Sequence, residues 1–109
     1  MKQKVLLKQD RENRIYIAGP MTGYPNYNFE AFNRIALDYF NSGWDVENPA
    51  EHGVIDGATW EDYMMFDLTR LGLCGSIYML DGWRESKGAC IEHALAITFG
   101  LEVIYQVED

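Results

Sequence analysis

Two carboxylates stand where a folded chain needs a reason to put them. Glu92 lies between Ile91 and Ala94 in a segment that is apolar over nearly its whole length. At helical spacing its stripe is Gly88 or Ala89, Leu95 or Ala96, and Phe99. Asp67 falls in the same way on the stripe of Trp60, Met64 and Leu71. A charge on a core-facing stripe must be paired or put to use, because stripping its water is expensive. One such acid is often a structural residue bonded to backbone, whereas two near one site point towards function. Asp81, at the tip of the run Ser76 to Leu80, is a third acid. Such a set, with no metal-ligand histidines beside it, suits glycosyl transfer. One carboxylate attacks the sugar carbon, and another moves protons to or from the leaving group. The same acids could hold Mg²⁺ for phosphoryl chemistry, but no Walker-type loop accompanies them. Cys–His metal spacing is absent, and His52 and His93 are far apart. Neither a metal nor a cofactor is expected.

Two further segments bear on binding. Ser86-Lys87-Gly88 combines a hydroxyl, a cation and a glycine at the start of a helical pattern, where free N–H groups favour an anion. Its plain alternative is a capping serine beside a surface lysine. Gly19-Pro20-Met21-Thr22-Gly23 follows an apolar run directly, and small residues there let a ligand approach the backbone. Its plain alternative is a turn. Asn48 closes another apolar run just before Pro49.

These residues must be positioned by regular elements, and the pattern alternates. Strands are predicted at 14–18, 44–47, 76–80 and 101–107 from short apolar and β-branched runs stopped by Gly or Pro. Helices are predicted from Phe29 to about Asn41 with Asn28 as N-cap, from Thr59 to about Gly72 with a Thr59–Asp62 capping box, and from Ser86 to Phe99. The order β-α-β-α-β-α-β implies a small α/β, flavodoxin- or Rossmann-like three-layer fold with a parallel sheet of four to five strands. Ligands in such folds bind beyond the carboxyl ends of the strands. Residues 1–13 read as a leader or an edge strand, and 14–109 as one domain. Trp44 and Trp60 are expected to pack in the core.

With 109 residues the chain suits a single domain, whose limited core favours self-association. The last helix is apolar nearly all round, so a homodimer or higher oligomer built on it is expected. A net charge of −8 argues against a nucleic-acid polymer or an anionic membrane as partner. The two cysteines, Cys74 and Cys90, read as buried thiols of a reducing cytoplasm.

The run Ile15-Tyr16-Ile17-Ala18-Gly19, an acid in the second helix, an acid after strand three and the pair Ser86…Glu92 resemble the nucleoside 2-deoxyribosyltransferase family. The Ser86-to-Glu92 spacing is more similar to its 2′-deoxynucleoside 5′-phosphate N-hydrolase branch. Ala18 to Gly23 with Asn48 to Glu51 is also similar to a small uncharacterised domain family of that superfamily, common in phages. The resemblance implies a nucleoside or nucleotide ligand, Glu92 as nucleophile, and Asp67 and Asp81 as acids that bind sugar and assist protonation of the base. It also implies Tyr16 as the group orienting the nucleophile, and Ser86 and Gly88 as phosphate contacts. Where the transferases carry Glu-Leu-Gly-Tyr, this chain has Glu92-His93-Ala94-Leu95.

Overall fold

The computed structural model describes residues 4–107. Four strands form one parallel sheet in the order β2-β1-β3-β4, with β1 at Arg14–Ala18, β2 at Asp45–Glu47, β3 at Ser76–Met79 and β4 at Glu102–Tyr105. β1 is central, and Ile15 to Ala18 are at most 1% exposed. A strand covered on both faces needs such an unbroken apolar run. The long helices are α2 (Phe29–Asn41), α3 (Trp60–Leu71) and α4 (Lys87–Thr98). α2 covers one face, where Phe32 packs with Ile17 and Leu80. α3 and α4 cover the other, where Leu71, Ala89 and Ala96 pack with Tyr16, Ile77 and Met79. Burying a phenylalanine such as Phe32 contributes about 2–3 kcal/mol. The chain leaves β1 for β2 on one side and returns across it to β3, so the fold's switch point lies beside β1.

Local signals account for most boundaries. Thr59 and Asp62 form the expected capping box, with reciprocal bonds of 3.1 and 2.9 Å. Ser86 Oγ caps α4 by accepting from Ala89 N at 3.2 Å. Asn28 departs from expectation. It precedes α2 with φ 62°, closing a left-handed turn through Asn26 and Tyr27, and its side chain caps nothing. Instead Asn28 Nδ2 donates to the Pro20 carbonyl at 2.9 Å and ties this turn to the end of β1. Asn tolerates the left-handed region well, so the bond to Pro20 won over the cap.

The described part of the N-terminal segment contains no strand. Lys8–Arg11 is a single helical turn, α1, and residues 1–3 lie outside the described residues. The Arg11 carbonyl lies so close to Gly75 that a Cβ there would come within 2.6 Å of it. No helix among the described residues is long and apolar enough to cross a membrane.

Candidate active site

A cleft of about 510 Å³ opens beyond the carboxyl ends of β1 and β2, and Tyr16, Asp67 and Glu92 all line it. Tyr16 comes from the central strand, Asp67 from α3 and Glu92 from α4. The Tyr16 hydroxyl donates to Glu92 Oε2. Tyr16 is 1% exposed and Glu92 5%. Burial pushes the Glu92 carboxyl up to about 8; the Tyr16 hydrogen bond pulls it back, and the charge of Asp67 adds to the rise. Burial and then the charge of Glu92 hold the Tyr16 phenol well above its ordinary range, so it remains a donor across the working pH range.

Asp67 is raised to about 6 by burial, opposed by His52. His52 Nε2 lies 3.3 Å from Asp67 Oδ1. The other ring nitrogen, Nδ1, is 2.8 Å from the Gly53 carbonyl, which fixes it as the protonated one. The imidazole stacks on Tyr63 at 5.1 Å between centroids and meets Phe66 edge-on at 6.0 Å. His52 was not among the residues the sequence singled out. Its one signal was position: it ends the short turn Pro49–His52 directly after β2, where a parallel sheet presents its ligand loops.

Of the residues expected to bind substrate, Gly19, Met21, Ser86 and Gly88 line the cleft with the acids. The two glycines owe their place to packing. A Cβ on Gly19 would sit 2.7 Å from Leu80 Cβ, and one on Gly88 would sit 2.9 Å from Met64 Sδ. Pro20, Gly23, Asn48, Lys87 and Asp81 fall outside the lining. Asn48 is buried and structural: its Nδ2 donates to Asn33 at 2.9 Å and its Oδ1 accepts from Ala50 N at 3.0 Å. Asp81 is exposed, and its backbone N–H donates to Gln106 at 2.7 Å. Lys87 places its ammonium 4.5 Å above the Trp60 ring. Trp60 itself is 39% exposed on the cleft rim, a correction to the expectation of a core tryptophan. Trp44 is half-buried and lies outside both core clusters, edge-on to Tyr39 at 5.5 Å, so it too departs from the expectation of a core tryptophan. Tyr27 and Phe29 add aromatic wall to the cleft, their ring centroids 5.7 Å apart. Among the described residues no group of three or more His, Cys, Asp or Glu side chains is arranged to hold a metal ion.

The arrangement couples a buried carboxyl with no cation beside it among the described residues, a phenol that orients it, and a second acid paired with an imidazole. A family model matches residues 13–105, a span that includes the whole sheet and all of these groups. The chain belongs to the DUF4406 family, a domain of unknown function. No curated protein matches it.

Proposed function

We propose that the chain cleaves the N-glycosidic bond of a nucleoside or nucleoside 5′-monophosphate through a glycosyl-Glu92 intermediate, in the manner of the nucleoside 2-deoxyribosyltransferase-like enzymes it resembles. The observation that carries this reading is the buried Glu92, held by Tyr16 in an aromatic-walled cleft that Asp67 also lines. Glu92 Oε attacks the anomeric carbon, and the electron pair of the C–N bond leaves with the base. Asp67 supplies the proton the base needs, and water or a second base then takes the glycosyl group. A 5′-phosphate fits the start of α4, where Ser86 retains its hydroxyl proton while its oxygen caps the helix. Incubation with a panel of nucleosides and 5′-monophosphates, followed by chromatography for free base, tests the reading. Wild type is expected to release base, and absence of release from the whole panel overturns it.

A nucleotide-binding protein without turnover is the second reading. It is favoured by the same buried carboxyl, which is neutral at pH 7 when raised to about 8 and in that form donates rather than attacks. Tight binding without base release would select it. We further propose a homodimer or higher oligomer built on α4, whose flank carries Ile97 and Phe99 at 56% and 72% exposure. A concentration-independent monomer in analytical ultracentrifugation would remove that proposal. Of the two free thiols Cys74 is buried as expected and Cys90 only half-buried, and both are in keeping with a reducing compartment.

A further inference from the structure

We propose that His52 is a positioning residue that shares one proton with Asp67, so that the pair delivers this proton to the departing base and recovers it from the attacking water. This rests on the glycosidic reading above and assigns the origin of its proton.

Geometry commits the imidazole to this task. Nδ1–H is engaged by the Gly53 carbonyl at 2.8 Å, so Nε2 is the nitrogen turned to Asp67, 3.3 Å from Oδ1. Nε2 is shielded from solvent and has no aligned hydrogen-bond partner among the described residues. A buried ring nitrogen left so is costly unless a proton or a neighbouring acid answers it. Tyr63 and Phe66 hold the ring from two sides, and the side chains of His52 and Asp67 are 13% and 12% exposed. Tyr16, His52 and Asp67 also line a second cavity of about 260 Å³, whose other walls include Glu47, Glu51 and Arg70. The charged or titratable groups around the pair are therefore Tyr16 on β1, Tyr63 on α3, Glu92 on α4, these three across the second cavity, and Asp56 and Asp62, which line a further hollow with His52.

The proton count closes. In its proton-donating form the pair holds one proton, on Nε2 or on the carboxyl. As the C–N bond breaks, the base nitrogen takes this proton from Asp67, leaving a carboxylate beside a neutral imidazole. When water attacks the glycosyl-Glu92 ester, its oxygen bonds to the anomeric carbon, Glu92 departs as carboxylate, and the water's proton returns to the pair.

Two measurements test this on wild type and His52→Gln. In the first, ¹³C resonances follow the Asp67 carboxyl, assigned by its loss in Asp67→Asn. His52 lowers the proton affinity of Asp67, so its midpoint is expected to move up by about one pH unit in His52→Gln. No movement overturns the proposal, whether or not any substrate is cleaved. The second compares base release from 2′-deoxyguanosine 5′-monophosphate and its N7-methylated form, whose base departs without needing a proton. His52→Gln is expected to lose at least ~10-fold more rate on the unmethylated nucleotide than on the methylated one, as loss of general-acid assistance would. Equal losses on both would reduce His52 to a packing residue and overturn the proposal. If wild type cleaves neither nucleotide, the carboxyl titration alone decides the pairing, and the panel above decides the glycosidic reading.

Discussion

Glu47 and Asp67 are similarly buried, with side chains 16% and 12% exposed, yet their surroundings differ in kind. Glu47 receives two bonds from Arg70, at 2.6 and 2.9 Å, and lies 3.4 Å from Arg14. Those guanidiniums pair with its charge and fasten β2 to β1 and α3. Asp67 faces one imidazole, and Glu92, deeper still, faces a phenol. Where an acid serves architecture the chain supplies permanent cations. Where the acids line the cleft it supplies groups that orient a proton without fixing the charge, and burial raises both carboxyls.

The strongest way to break this contrast is at Glu92. Glu92→Gln keeps an oxygen for the Tyr16 hydroxyl but removes the nucleophile, and base release should fall by at least ~10³-fold. Activity within a few-fold of wild type would end the nucleophile assignment. The same variant should gain stability at alkaline pH. Glu92 binds its proton more tightly folded than unfolded, with about 8 against 4.5. Its contribution is therefore full below pH 4.5 and is lost as pH rises through about 8. Denaturant melts at pH 9 should show Glu92→Gln more stable than wild type by about 1–3 kcal/mol, and little difference at pH 5.

The pH profile sharpens the contrast next. If Glu92 attacks as a carboxylate while Asp67 must hold its proton, kcat/KM in the free enzyme should climb up to ~10-fold per pH unit below about 6, stay level to about 8 and fall above it. A profile still climbing between about 6 and 8 would remove Asp67 from the proton-donor role. A smaller effect is expected at the start of α4. Ser86→Ala should weaken 5′-monophosphate binding by about 1–2 kcal/mol and hardly change binding of the unphosphorylated nucleoside. Equal losses in calorimetric titrations of both would make Ser86 a helix cap alone. The smallest is expected at the architectural acid. Glu47→Gln should cost about 0.5–1.5 kcal/mol in a denaturant melt, reduced by the 41% exposure of Arg70. Its base release should stay within a few-fold of wild type.

The element order was legible because each run was short, apolar and punctuated, and α2 spans the predicted Phe29–Asn41. Glu92 and Asp67 were legible because an acid on an apolar helical stripe breaks a period. His52 was not, since a single histidine after a three-residue strand breaks no pattern. Its meaning arises only when α3 brings Asp67 and Tyr63 against it. Trp60 misled because helical periodicity gives the direction of a side chain and says nothing of where the neighbouring layer ends. Asp81 sits at the strand tip as expected, but the tip turns it outward, and no periodic signal encodes that rotation.

Gly19 and Gly88 carry a lesson for comparing sequences of this family. Each borders the cleft, and each lacks a side chain because Leu80 or Met64 already occupies the space. Substitution at either position should therefore follow the size of its packing neighbour. A relative with alanine at 88 would be expected to carry a smaller residue at 64, whatever molecule it acts on. Glycine at these two places is thus a record of how layers fit together, and sharing it is no evidence of a shared substrate.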